Sequence, residues 1–232
     1  MIDEIPASAR FEIKFVAEAS RYGELEQWIR LHPEGFRNSY PPRRVNNVYF
    51  DTQDLDAFAE NLSGASSRSK LRLRWYGVTD APERTVLEVK RRRNQLGWKH
   101  HYDGGPMDFE RSDWRTLRRR LRDRLSPVVK LWFDSHPFPV LINRYDRQYF
   151  ESPEGKIRAT LDWHQCVYDQ RVRNRPNLRH QSNLPETVVC EIKLGQRDRK
   201  RADRISEGIP VRVSRNSKYV IGVRSILLPL GS

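Results

Sequence analysis

The chain has 232 residues, 37% of them hydrophobic, and a formal net charge of +13. One core fits that length, and so large a positive balance calls for an anionic partner: nucleic acid, polyphosphate, an acidic membrane surface or a charged metabolite. The composition excludes a helical membrane protein, since no apolar run approaches the roughly 20 residues of a spanning helix.

The start, MIDEIPASARFEIKF, lacks the basic-then-apolar layout of a secretory leader. A cytoplasmic protein with no transmembrane segment is expected, and attachment through a membrane-protein partner stays compatible with that. Two cysteines, Cys166 and Cys190, both fall in apolar strand-like runs and read as buried thiols.

In chain order, Arg10 to Phe15 reads as a strand. An amphipathic helix around Leu25, Trp28 and Ile29 follows, closed by Pro33 and Gly35. Val45 to Asp51 is a second strand. Thr52 or Asp54 caps a helix carrying Leu55, Phe58 and Leu62, which Gly64 stops. Leu71 to Tyr76 and Val86 to Lys90 are strands separated by a turn with Asp80 and Pro82. The basic segment RRRNQLGWKHHYDGG reads as a loop, with His100 and His101 in solvent. Ser112 to Leu125 reads as a helix with Trp114, Leu117, Leu121 and Leu125 on one face and arginines on the others. Val128 to Phe133 is either helical or extended. Val140 to Phe150, Lys156 to Trp163 and Cys166 to Val172 read as strands, then Asn174 to Pro185 as a polar loop. Val188 to Leu194 is a further strand, and Lys200 to Ile205 and Ser217 to Leu227 read as helices. No composition break divides the chain, so residues 1–232 are treated as one domain.

The strands share one grammar. Side chains alternate across a strand, so Glu191 and Lys193 share a face while Cys190, Ile192 and Leu194 take the other. Arg10, Glu12 and Lys14, Arg72 and Arg74, Glu88 and Lys90, and Arg158 repeat it. About eight strands close into a ring able to hold one elongated ligand. With the apolar faces inside, the cations lie in water and the helices have no core to pack on. With Leu71, Leu73, Trp75, Leu87, Val89, Ile157, Ala159, Leu161, Ile192 and Leu194 outside against the helices, the cations line a channel. The pattern favours the second arrangement, whose crowded like charges call for an anion such as a phosphate chain. Asp162 shares the face of Arg158 and reads as a residue that orients an arginine.

RFEIK, RLR, EVK, an arginine in a later strand, RATLD, and EIK followed by SKY together resemble the triphosphate tunnel metalloenzymes. The resemblance is strongest to the branch of the vacuolar transporter chaperone catalytic domain, a polyphosphate polymerase, and spans Arg10 to about Tyr219. It implies an α+β fold: an eight-stranded antiparallel tunnel with helices packed outside. It also implies ATP or another triphosphate and polyphosphate as partners, and Mn²⁺ or Mg²⁺ as cofactor. Carried over by motif, Lys14, Arg72, Arg74, Lys90, Arg144, Arg158 and Lys218 bind phosphate, with Arg72, Arg74, Arg158 and Lys90 catalytic; Lys193, two residues after Glu191, and Arg10, on the face of Glu12 and Lys14, join them as phosphate-binding residues. Glu191 holds the metal, with Glu12 as its helper. One departure is the cation Arg10, where the cyclase and thiamine triphosphatase branch opens its first strand with a carboxylate; this favours a longer phosphate chain over a small triphosphate. The implied activity is ATP-dependent polyphosphate synthesis. Triphosphate or polyphosphate hydrolysis, or binding of polyphosphate or inositol polyphosphate without turnover, remain alternatives. No specific nucleic-acid signature is present.

Overall fold

The computed structural model describes residues 4–214 and 216–228. Eight strands form a closed antiparallel ring: β1 (Arg10–Glu18), β2 (Arg37–Asp51), β3 (Ser67–Tyr76), β4 (Thr85–Arg93), β5 (Leu96–Gly105), β6 (Phe138–Glu151), β7 (Ile157–Asp169) and β9 (Thr187–Gly195). Their order is β6-β2-β3-β4-β5-β1-β9-β7, and pairing of β6 with β7 closes the circle. A two-residue strand, β8 (Gln181–Ser182), adds to the outer stretch of β7. The helices are α1 (Tyr22–Leu31), α2 (Asp56–Ser63), α3 (Trp114–Asp123), α4 (Pro127–Asp134), the single turn α5 (Ala202–Ile205) and α6 (Lys218–Leu227).

The apolar faces of the strands point outward, as the helices require. Leu71, Leu73, Trp75, Leu87 and Val89 pack with Trp114, Leu117 and Leu121 of α3 and Val129 and Phe133 of α4. On the other flank, Ile157, Ala159, Leu161, Ile192 and Leu194 pack with Leu25 and Ile29 of α1 and Ile205 of α5. The strands are therefore greasy toward the helices and polar or charged toward the interior.

Local sequence explains most ends. Asp113 accepts the Thr116 N–H at 2.7 Å and starts α3, while Pro127 opens α4, which settles the undecided 128–133 piece as helix. At α2, Thr52 accepts the Asp56 N–H and Asp51 accepts those of Ala57 and Phe58, so Asp51 does what was expected of Asp54.

Three expectations change. The basic segment after Lys90 is not a loop: β4 continues to Arg93, turns through Asn94 (φ 54°) and returns as β5. The two strands expected over 156–163 and 166–172 are one, β7, interrupted by a bulge. There Tyr145 faces two residues between the Asp146–Trp163 and Arg144–Cys166 pairs, and His164 takes φ 49°. Cys190 is buried as expected, while Cys166 is only half-buried.

One end of the ring is filled by the chain's last helix. Tyr219 stacks on Tyr49 with centroids 4.9 Å apart, and its hydroxyl donates to Asp51 at 2.5 Å. Gly222 permits this approach, because a Cβ there would lie 2.8 Å from Leu141 and 3.2 Å from Val167.

Candidate functional site

The interior has two kinds of wall. On the first, β1 and β9 pair Lys14 with Glu191 and Glu12 with Lys193. Glu191 receives Lys14 at 3.1 Å on one oxygen and Lys193 at 2.6 Å on the other. Lys90, from β4, bridges both oxygens of Glu12 at 2.9 Å. Burial alone would push these carboxyls up. Lys90, helped by Lys14 and Lys193, instead brings Glu12 down to about 2, and Lys14 and Lys193 hold Glu191 well below the usual carboxylate range. Burial lowers Lys90 despite Glu12, whereas Glu191 outweighs burial at Lys14 and raises it.

The second wall is built from β2, β3 and β6, joined by Glu88 of β4 and Asp162 of β7, and its strand-borne cations are guanidinium groups held by two or more hydrogen bonds each. Arg72 donates from Nε to Glu88 at 2.7 Å and from Nη1 to the Tyr49 hydroxyl at 3.1 Å. Arg74 donates to Asn47 Oδ1 at 2.8 Å and to the Tyr145 hydroxyl at 3.2 Å. Arg147 forks onto Asp162 at 2.5 and 2.7 Å, and Lys218 of α6 reaches the same carboxylate at 2.5 Å. Burial would raise Asp162, but Arg147 and Lys218 bring it down to about 2. Burial would also raise Tyr145, yet Arg147 and Arg74 pull it down to about 8.

Further interior cations meet either the segment that leads into α6 or Glu88. Lys70, two residues before Arg72 on the same face, donates to Ser217 Oγ at 2.7 Å, and Lys14 donates to the Asn216 carbonyl at 3.1 Å. Burial, then the field of Lys90 and Lys14, holds Lys70 well below the ordinary lysine range. Lys99 of β5 lies 3.2 Å from Glu88, and His101 Nε2 lies 3.1 Å from it, so His101 touches the interior wall instead of standing free in solvent.

The structure thus brings together Lys14, Arg72, Arg74, Lys90, Lys193, Lys218, Glu12 and Glu191. Arg10 and Arg158 stand at the rim: Arg158 is half exposed and pairs with Glu151 at 2.6 Å. Burial, then the nearby charge of Arg158, lowers Arg10. Arg144 is not in the interior. It lies on the outward face, donates to Asp80 at 2.5 Å and sits 5.2 Å from the Tyr168 ring. The place expected for it belongs to Arg147, opposite Arg43 and Asp162 in the register. Alternation leaves Arg144 and Arg147 on opposite faces. A cue for choosing was Asp162, whose interior carboxylate needed a cation across from it. Lys70 and Lys99 were also missed, although Lys70 was legible as a same-face neighbour of Arg72.

Among the described residues no group of three or more His, Cys, Asp or Glu side chains could cage a metal by itself. The donor set of Glu12 and Glu191 on adjoining strands fits a different arrangement: a hard divalent ion held by one or two carboxylates with phosphate oxygens completing its shell.

The VTC domain family model matches residues 9–227. The chain belongs to the VTC domain family. Its fold is the triphosphate tunnel fold. A candidate adenylate cyclase from Vibrio parahaemolyticus is similar at TM-score 0.50 and 9% identity, over 91% of this chain and 97% of that one. Another, from Bacillus halodurans, aligns at TM-score 0.49 and 11% identity over 90% and 93% of the two chains. A chain of the Schizosaccharomyces pombe Mediator head module aligns at TM-score 0.47 and 8% identity over 88% and 97%. No curated protein sequence matches this VTC domain. None of its described helices is long and apolar enough to cross a membrane.

Proposed function

We propose that this VTC domain is a phosphotransferase that passes the γ-phosphoryl group of ATP to the end of a polyphosphate held inside the ring, releasing ADP. The observation that carries the reading is convergence: cations from β1, β3, β4, β5, β6, β9 and α6 meet in one interior. They outnumber the carboxylates they hold, which leaves a surplus for a polyanion.

Phosphoryl transfer needs in-line placement and neutralised equatorial oxygens more than it needs a covalent protein step. In this reading Arg72, Arg74 and Arg147 fork onto phosphoryl oxygens, and Lys14, Lys90, Lys193 and Lys218 add movable point charges along the chain. Arg10 and Arg158 guide the polyanion at the rim. The acceptor is itself an anionic phosphate, so no strong general base is required. Glu191, with Glu12, would hold Mg²⁺ or Mn²⁺, which when bound supplies further neutralisation of phosphate charge.

A second reading has an observation of its own. Both oxygens of Glu191 are engaged by lysines, an arrangement equally suited to spacing ammonium groups in a module that grips polyphosphate without turnover. Incubation with ATP and Mn²⁺ separates the readings. Lengthening polyphosphate supports the polymerase, and inorganic phosphate alone supports a triphosphatase or polyphosphatase. Tight polyphosphate binding with intact ATP supports the binding module.

A further inference from the structure

At the rim where β2 begins, four side chains form a group that the phosphate-binding reading does not use. The Arg43 guanidinium lies 4.1 Å from the Tyr76 ring centroid, 5.0 Å from that of Tyr149 and 5.4 Å from that of Tyr40. Its Nε donates to the Tyr149 hydroxyl at 3.3 Å. Tyr40 meets Tyr149 edge-on, with centroids 5.7 Å apart and planes at 79°. Tyr40 is 57% exposed and Tyr76 39% exposed.

Three features set this group apart. First, Arg72, Arg74, Arg144 and Arg147 all pair with a carboxylate, whereas among the described residues no carboxylate pairs with Arg43. Second, its rings stay open to solvent around a guanidinium, an arrangement that offers π surface and positive charge at one place. Third, it continues the interior without a break. Arg43 and Arg147 are direct register partners, Tyr149 lies between the two guanidinium groups, and Tyr76 is two residues beyond Arg74 on the same face. α6 fills the end of the ring near Tyr49 and Asp51, while Arg43 lies toward the opposite end of the same strand.

We propose that Tyr40, Arg43, Tyr76 and Tyr149 form a nucleobase platform, on which the base of a nucleoside triphosphate stacks while its phosphates run inward past Arg147. This rests on the triphosphate reading above and adds what that reading leaves open: why a nucleotide, and not only inorganic triphosphate, is held here. Stacking of a base on an aromatic side chain is sequence-tolerant because every base has a π face. The platform therefore selects nucleoside triphosphates as a class.

The test is calorimetric binding of Mg-ATP and of Mg-tripolyphosphate to the whole chain, wild type and variants. Tyr40→Ala combined with Tyr76→Ala is expected to weaken ATP about tenfold, in line with loss of a stacking surface, and tripolyphosphate less than twofold. Tyr76→Phe keeps the ring and retains ATP affinity. Tyr40→Ala alone, at the most exposed of the rings, gives a smaller loss confined to ATP and serves if the double variant melts early. Equal weakening of both ligands, or unchanged ATP affinity in a variant that melts like wild type, overturns the platform. A wild type that binds tripolyphosphate but not ATP overturns the platform alone. A wild type that binds neither overturns the triphosphate reading beneath it.

Discussion

The lysine wall of β1, β4 and β9 and the arginine wall of β2, β3 and β6 do one electrostatic job with different mechanical properties. On the first, flexible ammonium groups hold Glu12 and Glu191 as point charges and can turn to a new anion without leaving the old one. On the second, planar guanidinium groups are fixed by two or more directional bonds to Asn47, Tyr49, Glu88, Tyr145 and Asp162. A phosphate chain held in such a space would meet a rigid register on one side and an adaptable lining on the other. Under the proposed transfer, positioning would belong to the arginines and tolerance of a lengthening polymer to the lysines.

The sharpest way to break that division is at Arg147. Arg147→Ala removes a bidentate fork and leaves Asp162 with Lys218 alone, so a loss of about 3 kcal/mol in stability is expected in chemical denaturation. Tripolyphosphate affinity should fall by two orders of magnitude or so, since hydrogen bonds to charged groups contribute roughly 1.5–3 kcal/mol each. Arg147→Lys should recover little of it, because a point charge does not replace a fork. Arg144→Ala, on the outward face, should leave that affinity within about twofold.

A smaller effect is expected on the opposite wall. Lys90→Gln should weaken tripolyphosphate by about tenfold, one charge-assisted contact, with a flatter dependence on salt. An equal loss for Lys90→Gln and Arg147→Ala would erase the distinction between the walls.

Two pH profiles sharpen it further. Tyr145 sits at about 8 in the folded chain, below its ordinary 10, because Arg147 and Arg74 overcome its burial. Between pH 8 and 10 the folded state binds fewer protons than the unfolded one, so unliganded stability rises over that window. The same phenolate competes with phosphate for the two arginines, so tripolyphosphate affinity should fall there. Tyr145→Phe should remove both trends. The acid side affects both walls: Glu12 and Asp162 lie at about 2 when folded. The stability they contribute is complete above their unfolded values near 4 and should be lost as pH falls from about 4 to about 2, measured by urea midpoint.

How far the sequence carried this is instructive strand by strand. Wherever charged and apolar residues alternate without interruption, as in RFEIKF, LRLRWY and VVCEIKL, position and face were both legible, while the pairing of strands was not. The number of ring strands was also right, but its membership was not. Gly97 and the surrounding cations hid β5, although Trp98, His100 and Tyr102 share one face and Lys99 and His101 the other. The bulge at His164 split β7 in the reading, because a left-handed non-glycine residue carries no sequence mark. Arg144 and Arg147 show the same limit at the site. Both are arginines in one strand, and the register across to β7, which sets Asp162 opposite Arg147, decides which one faces inward.

The ring also has a temporal order. Its first strand, Arg10–Glu18, is hydrogen-bonded along its whole length to Thr187–Gly195, and Lys218 enters from later still. During synthesis, which releases earlier segments first, the opening strand must wait until Thr187–Gly195 has emerged before it finds its neighbour. A nascent chain that has emerged only as far as β6 can present cations but cannot enclose a polymer between them. The enclosed interior is therefore acquired only once Thr187–Gly195 and Lys218 have both been made.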